Sequence, residues 1–204
     1  MWCIGRITGE YRERMYGLLA LYARPYDPQE PVICLDEKSK QLLEQTRPPL
    51  PISPGQPARE DYEYRRAGTR NLFVAVEPKG GRRAVEVTRR RTKPDFVGFV
   101  QTLVHGVYAT ARTIHLVLDN LNTHFRGSFE QVLGVEAARQ FHPRIQFHYT
   151  PKHASWLNMA EIEIGILERQ CLGRRIGSEH HLKAEVEAWK QRRNAAGCQI
   201  EWTF

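Results

Sequence analysis

Two short apolar segments of the chain end in the same way, each on an aspartate. Residues 31–36 read PVICLD and residues 114–119 read IHLVLD, so Asp36 and Asp119 each follow a run rich in branched side chains. Such runs, without polar alternation, are typical of strands that are buried on both faces of a parallel sheet. In open α/β sheets the carboxyl ends of parallel strands meet at one edge, where ligands collect. If the two strands are neighbours, their aspartates lie side by side.

The other periodicities predict helices and strands around this pair. Spacings of three and four predict amphipathic helices over Gly9–Ala23, 96–107, 128–140, 155–171 (with Trp156 facing the core) and 178–194. Branched and aromatic runs predict strands over 71–77 and 84–88, joined as a hairpin, and over Ile145–Tyr149. Five prolines make residues 47–59 an extended surface loop. This order predicts an α/β protein with a mixed five-stranded sheet flanked by helices.

Paired carboxylates at a sheet edge are suited to metal binding. Proteins hold Mg²⁺ through one or two carboxylates, while water and substrate phosphate complete its shell. A third carboxylate would let a second ion bind about 4 Å away, and the two ions would clamp both oxygens of an in-line displacement at phosphorus. We expect the third acid on the helix over 155–171, where Glu161 and Glu163 lie at opposite edges of the apolar stripe. Periodicity does not choose between them.

Each acid also has an ordinary structural interpretation. An aspartate after a strand commonly forms a turn or caps a helix, and Asp119 is followed by Asn120, Asn122 and His124. Glutamates in a first helical turn are favoured by the helix dipole, whatever their function. From the residues alone, the structural and catalytic interpretations both stay open.

The chain is basic, with 30 Lys and Arg against 23 Asp and Glu and a formal net charge of +7. This balance suits a polyanionic partner such as nucleic acid. The densest group of cations, expected to contact a DNA backbone, comprises Arg82, Arg83, Arg89, Arg90, Arg91 and Lys93. Lys152 and His153 precede the glutamates and are expected to hold a phosphate near the metal ions. For the arginine group, a merely solvated hairpin end is the alternative.

Other sequence signals exclude several classes of protein. No run approaches the roughly 18 apolar residues that span a bilayer, and the first residues lack the apolar stretch of a signal peptide. The four cysteines, among them Cys3, form no Cys-x-x-Cys pair and indicate neither a disulfide framework nor a zinc site. We expect an intracellular protein with reduced cysteines and no membrane partner.

Three segments resemble the acidic motifs of the bacterial insertion-sequence branch of the Tc/mariner transposase superfamily. They are residues 35–37 (LDE), 118–124 (LDNLNTH) and 149–161 (YTPKHASWLNMAE). The resemblance implies a ribonuclease-H-like fold and a DDE catalytic centre, whose third acid ends the word Leu-Asn-x-x-Glu and is therefore Glu161 here. Catalytic and metal-binding roles, with two Mg²⁺ or Mn²⁺ ions, fall to Asp36, Asp119 and Glu161. The shell of groups around them would comprise Asn120, His124 and Asn158.

The function that this resemblance implies is metal-dependent cleavage and strand transfer of a mobile DNA element. Its partners would be double-stranded DNA, at the element ends and at the target, and a second copy of the chain. The loop over 47–59 would reach across to that copy, with a plain solvent-exposed linker as the alternative. The implied location is the bacterial cytoplasm, in association with the nucleoid.

The resemblance covers nearly the whole chain and divides it into three parts. These are an N-terminal helix and linker over 1–30, a ribonuclease-H-like catalytic domain over 31–195 and a truncated tail over 196–204. Relatives normally begin with helix-turn-helix modules that recognise DNA, so we expect an isolated or truncated catalytic domain. The alternative function is an inactive remnant that binds DNA or dimerises without catalysis. All three acids are retained, which favours the enzyme.

Overall fold

The computed structural model describes residues 7–48, 50–57, 59 and 61–202, and it contains the predicted mixed five-stranded sheet. The strands are β1 (Val32–Gln45), β2 (Tyr64–Glu77), β3 (Arg82–Thr88), β4 (Ile114–Leu118) and β5 (Ile145–Tyr149). They lie in the order β3-β2-β1-β4-β5. β2 is antiparallel to both β1 and β3, whereas β1, β4 and β5 run parallel.

Helices flank both faces of this sheet. They are α1 (Gly9–Ala23), α2 (Lys93–His105), α3 (Arg126–Leu133), α4 (Val135–Phe141), α5 (Ala160–Leu167) and α6 (Glu179–Ala195). Two of them begin at capping side chains, since the hydroxyls of Thr8 and Ser178 accept the backbone N–H of Tyr11 (3.1 Å) and His181 (3.2 Å). The predicted bounds of the first helix (Gly9–Ala23) and of the last helix (178–194) agree with the observed ones to within one residue.

Alternate residues of each strand enter two different cores. On one face Ile33 and Leu35 pack with α2, α3 and α4, in a cluster with Phe96 and Phe129. On the other face Cys34 packs with α1, while neighbouring parts of the sheet pack with α5 and α6. The period of two along the strands thus produces a three-layer α/β structure.

The first helix belongs to the body of this structure. Leu18, Leu21 and Tyr22 of α1 are buried against the sheet, and the Tyr22 hydroxyl donates a hydrogen bond to the carbonyl of Leu157 (2.8 Å). The tail docks nearby, where Ile200 donates its N–H to the carbonyl of Pro78 (3.0 Å). Of the predicted terminal segments, residues 1–6 and 203–204 lie outside the described residues, and the boundaries at 30 and 195 stay predictions.

The strand that carries Asp36 is longer than predicted. Asp36 does not end β1, which continues for nine further residues to Gln45, paired with β2 as far as Tyr64. β4 is shorter and leaves β1 after the pair Cys34 and Val117. Within the sheet the polar half of β1 therefore pairs with β2 only, and outside the sheet the N–H of Leu43 donates to the carbonyl of Ile176 (2.9 Å). Local hydrophobicity does not reveal these distant partners.

Two predicted helices are interrupted. The helix predicted over 128–140 is two helices, because Gly134 adopts φ 83° between α3 and α4. The helix predicted over 155–171 begins only at Ala160, after a 3₁₀ turn over Ser155–Leu157, and ends in a π-helical turn over Glu168–Leu172. The prediction that Trp156 lies in the core is wrong, since Trp156 is 47% exposed.

The expectations drawn from composition concern cysteines and membranes. Cys34, Cys171 and Cys198 are free thiols, and the first two are buried as small apolar side chains. Cys3 lies outside the described residues. Within the described ranges, no helix has the length and apolar character needed to cross a membrane.

A histidine pair joins α1 to the parallel half of the sheet. The Arg24 guanidinium, which only donates, bonds Nε2 of His115 (3.0 Å), so Nδ1 of His115 carries the proton and donates it to Nε2 of His148 (3.0 Å). Burial lowers the pKa of His148 to about 4, and the charges of His115 and Arg24 act in the same direction. Burial also lowers the pKa of His115, against the attraction of Glu30. Both rings are therefore neutral at neutral pH.

Stability should depend on pH through His148. Between its unfolded pKa of about 6.5 and its folded pKa of about 4, the unfolded chain binds a proton that the folded chain excludes, so stability falls as pH drops through this window. In His148→Gln the amide oxygen can still accept the hydrogen bond from His115, but the side chain does not titrate. We therefore expect the variant to lose less stability than the parent over this pH window, by on the order of 2 kcal/mol. Urea unfolding of both proteins between these pH values measures it. Identical pH dependence in parent and variant would contradict this account.

Candidate active site

The parallel register places Asp36 and Asp119 side by side. The last parallel pair of β1 and β4 is Cys34 with Val117, so each aspartate lies two residues beyond the same pair. Both side chains are half-buried at the edge where β4 has ended and β1 continues. The predicted meeting of the two acids is therefore what the strand register produces.

The third acid is brought to this edge by Asn158. The amide nitrogen of the buried Asn158 side chain donates to the carbonyl of Leu35 (2.8 Å), the residue before Asp36. Its side-chain oxygen accepts the N–H of Ala160 (3.2 Å), the first residue of α5. Asn158 thereby fixes the start of α5 to β1, and Glu161 follows in the first turn with an exposed carboxylate.

Glu163 has a different environment from Glu161. It is fully buried and forms ion pairs with Arg83 of β3 (2.7 Å) and Arg193 of α6 (3.0 Å). Its carboxylate oxygens are occupied by four guanidinium hydrogen bonds. Glu163 therefore joins α5 to its neighbours, whereas Glu161 is exposed and its negative charge acts on Asp36.

The electrostatics at Asp36 reflect this meeting of acids. The pKa of Asp36 is raised to about 7, mainly by burial and then by the negative charges of Asp119 and Glu161, although a hydrogen bond from the N–H of Glu37 (2.8 Å) acts in the opposite direction. Three carboxylates near one another repel unless a cation or a proton compensates them.

His124 offsets part of the negative charge of these carboxylates. This fully buried ring lies between two carboxylates, with Nδ1 at 2.6 Å from Asp119 and Nε2 at 2.7 Å from Glu37. Burial lowers the pKa of His124, but the hydrogen bonds to Asp119 and Glu37 outweigh burial and raise the pKa to about 9. Both ring nitrogens therefore donate, and His124 is an imidazolium that orients Asp119.

Asp119 is also held by its own turn. Its Oδ1 accepts the N–H of Leu121 (3.0 Å) as well as the proton of His124. Burial raises the pKa of Asp119, but His124 outweighs it and the pKa is lowered overall, with a contribution from Arg91. Asp119 is thus ionised and oriented, so the Asx-turn interpretation and the functional one both describe this residue.

Sequence reasoning missed Glu37. Its side chain is 3% exposed and anchors His124 from the strand opposite, although it stands next to Asp36 in the LDE word. The residues LDE at 35–37 include this glutamate, but its pairing with a histidine 87 residues away depends on the fold. The predicted Asn120 is more remote from the acids, since its side chain donates to the carbonyl of Thr150 (2.7 Å) and is exposed.

The acidic residues have the chemistry required to bind a hard divalent cation. Asp36, Asp119 and Glu161 offer carboxylate oxygens, and the negative charges of Asp119 and Glu161, which add to the effect of burial on the pKa of Asp36, are ones that a cation would neutralise. Among the described residues, no three His, Cys, Asp or Glu side chains are already spaced as ligands of one ion. Binding of one ion by all three carboxylates would therefore require them to draw together, and the side chain of Glu161 is exposed.

The predicted group of basic residues does not form one surface. The prediction that Arg83 contacts DNA is wrong, because Arg83 is 4% exposed and forms an ion pair with Glu163. Successive residues of a strand face opposite sides, so Arg82 is exposed while its neighbour is buried. Arg82 is the first residue of β3 and Arg89 follows its last, so at roughly 3.3 Å per residue the two lie about 23 Å apart along the strand.

The remaining cations lie toward the acids. Thr88, at the end of β3, is aligned through Asn71 with Ser39, just past Asp36 on β1. The exposed residues that follow Thr88 are Arg89, Arg90 and Arg91, and Lys93 is half-buried and donates to Gln131 (2.7 Å). Lys152 and His153 are exposed on the loop between β5 and α5.

A mixed sheet of this order, with two aspartates at its carboxyl edge and a glutamate on a following helix, defines a ribonuclease-H-like domain of the DDE type. The family model of DDE superfamily endonucleases matches residues 31–183, so the chain belongs to that family. This confirms the predicted class of enzyme and its fold. Among curated proteins, no sequence matches the chain.

Solved structures of a mariner transposase share the fold. The Mos1 transposase paired-end complex with left transposon end matches with a TM-score of 0.60 and 13% identity, over 97% of this chain and 60% of that chain. The Mos1 strand transfer complex matches with a TM-score of 0.61 and 15% identity over the same shares. The Mos1 paired-end complex with Mn matches with a TM-score of 0.58. The chain thus spans about 60% of the length of the first two.

Substitutions of the two glutamates of α5 should change the stability of the protein by different amounts. We expect Glu163→Gln to lower the free energy of unfolding by about 3–5 kcal/mol, since it leaves Arg83 and Arg193 with an uncompensated buried charge. Glu161→Gln should change it by no more than about 0.5 kcal/mol, because the side chain is exposed. Urea unfolding of both variants checks this. Equal destabilisation by the two changes would contradict the separation.

Glu37 should affect metal affinity without binding the metal. Glu37→Gln removes one of the two charges that hold the His124 imidazolium against Asp119, so the affinity for Mn²⁺ should fall about 10- to 100-fold, as is typical for outer partners of metal ligands. Titration calorimetry measures this affinity. Glu44→Gln is the matched control, because Glu44 lies on the same strand and pairs with the exposed Arg65. Unchanged Mn²⁺ affinity in Glu37→Gln would rule out its positioning role.

Proposed function

We propose that this chain is the catalytic domain of a transposase of the Tc/mariner superfamily, in its insertion-sequence branch, which cleaves and transfers strands of a mobile DNA element. The observation that carries the proposal is the alignment of Asp36 and Asp119 on two parallel strands, with Glu161 fixed beside them through Asn158. Membership of the DDE endonuclease family supports it. The fold that the chain shares with the Mos1 structures, one with transposon-end DNA and one with Mn, also supports the proposal.

In this proposal Asp36, Asp119 and Glu161 hold two Mg²⁺ or Mn²⁺ ions. Such ions would neutralise the charge that develops on a phosphodiester and activate the attacking oxygen for in-line displacement. His124 keeps Asp119 ionised and aimed at the ions. Asn158 keeps the start of α5 in register with β1, and Asn120 orders the loop after β4 through Thr150.

Double-stranded DNA, at the element ends and at the target, is the proposed substrate. The exposed Arg89, Arg90 and Arg91 extend from the sheet at the level of the acids, and the charge of Arg91 reaches Asp119. Lys152 and His153 lie on the opposite flank. Cations on both flanks suit a phosphate backbone that crosses the metal centre. Association with the nucleoid remains a prediction from the resemblance.

A homodimer is proposed on the basis of the loop over 47–59. Leu50 and Ile52 are 63% and 78% exposed there, and Tyr62, just after it, is 83% exposed. Exposed large apolar side chains are suited to contact with a partner. A second copy of the chain is the partner that the resemblance implies.

Metal-dependent nicking of supercoiled DNA tests the function. We expect the 204-residue chain to nick plasmid in Mg²⁺ or Mn²⁺ but not in EDTA. Asp36→Asn, Asp119→Asn and Glu161→Gln should each lower the rate by more than about 100-fold, beyond the loss typical of an outer-shell partner. Glu136→Gln, an exposed acid on α4, is the control and should nick at the parental rate. Undiminished nicking by Asp119→Asn, or nicking in EDTA, would overturn the proposal.

A further inference from the structure

A cleft that the catalytic assignment does not use opens beside the acids. Its volume is about 520 Å³, and one wall is the start of α1, with Thr8, Glu10, Tyr11 and Arg14. The other wall is the loop after β5, with Pro151, Lys152 and His153. Asn120 lies between the two walls and directly follows Asp119 in the chain, so the cleft begins where the candidate metal centre ends.

Hydrogen bonds tie the two walls together. Arg14 donates from Nη1 to the side-chain oxygen of Asn120 (3.0 Å), and Asn120 donates from its amide to the carbonyl of Thr150 (2.7 Å), which precedes the second wall. Arg14 also pairs with Glu10 (2.7 Å). These contacts occupy only part of the five N–H donors of a guanidinium, so Arg14 keeps donors for a further partner.

The second wall presents unused donors. Lys152 and His153 are exposed, and within the described part of the chain their side chains form no hydrogen bond or ion pair. His153 adopts φ 65°, a left-handed conformation that costs a non-glycine residue of order 1–3 kcal/mol and is found most often at functional positions. The loop thus holds two donors at the cleft in a conformation that it would not adopt by local preference.

The net positive charge of the cleft favours an anionic ligand. Arg14 and Lys152 contribute two positive charges against the single acid Glu10, and His153 adds a ring donor. Most of the residues that line the cleft carry a polar or charged side chain. A phosphodiester backbone fits such a lining, because phosphate oxygens accept from guanidinium, ammonium and imidazole donors alike.

We infer that this cleft binds the backbone of the DNA strand that flanks the scissile phosphate, with Arg14 of α1 as a phosphate contact opposite Lys152 and His153. The inference rests on the proposed function and deepens it. It makes α1 part of the substrate site, and it gives Arg14 a second task, since the same side chain positions Asn120 beside Asp119.

The test is the salt dependence of DNA binding by the 204-residue chain, measured by fluorescence anisotropy with a short labelled duplex in EDTA between about 50 and 200 mM salt. Each lost phosphate contact lowers the slope of log affinity against log salt by about 0.9. We expect Arg14→Met and Lys152→Met each to lower the slope by about 1, and Arg14→Lys to retain it.

The matched control is Arg139→Met. Arg139 is an exposed helical arginine that pairs with Glu136 one turn away, as Arg14 pairs with Glu10, but it lies on α4 outside the cleft. Its slope should equal that of the parent. Parental slopes in both Arg14→Met and Lys152→Met, or an equal fall in Arg139→Met, would overturn the inference, as would a parent that does not bind the duplex.

This outcome is distinguishable from failure of the proposed function. If the parent nicks plasmid in Mg²⁺ while Arg14→Met keeps the parental slope, the cleft assignment fails and the function stands. If the slope falls as expected but no divalent ion supports nicking, the cleft binds DNA and the catalytic proposal fails.

Discussion

The two hydrogen bonds of Asn158 connect the sheet to the helix that carries the third acid. The pairing of β1 with β4 aligns two aspartates, and α5 follows a 3₁₀ turn, so its first residue needs a contact with β1 to lie beside them. Asn158 provides the link, bonded to Leu35 on one side and to Ala160 on the other. Because both bonds are buried, breaking either would leave an unpaired polar group, and the position of Glu161 is correspondingly well determined.

The charge of the site is arranged in layers around these acids. Burial and, after it, the negative charges of Asp119 and Glu161 raise the pKa of Asp36, while the buried imidazolium of His124 offsets negative charge only on the side of Asp119 and Glu37. The remaining negative charge faces solvent, where a divalent ion would enter. Farther out, Arg89 to Arg91 and the cleft between α1 and the loop after β5 carry positive charge. A negative centre between positive flanks suits metal ions in the middle of a phosphate backbone.

Local sequence predicted the parts of this arrangement that depend on local chemistry. The apolar runs before Asp36 and Asp119 marked buried parallel strands. The parts that failed depend on distant partners. β1 continues past Asp36 because β2 lies beside it, and Arg83 is buried because Glu163, 80 residues away, neutralises it. Trp156 was misplaced because the helical period was extended across Asn158, where the chain is not yet helical. Periodicity did not separate Glu161 from Glu163, and in the structure the arginines of β3 and α6 pair with Glu163 alone of the two.

The central claim is that Asp36, Asp119 and Glu161 form one metal centre. Diffraction from crystals of the protein soaked in Mn²⁺, recorded at the manganese absorption edge, locates the ion without reference to activity. We expect the anomalous peak between the carboxylates of Asp36 and Asp119, within about 2.5 Å of their oxygens and with Glu161 turned toward it. A peak on other residues, with these three carboxylates left as they are in the metal-free chain, would contradict the account.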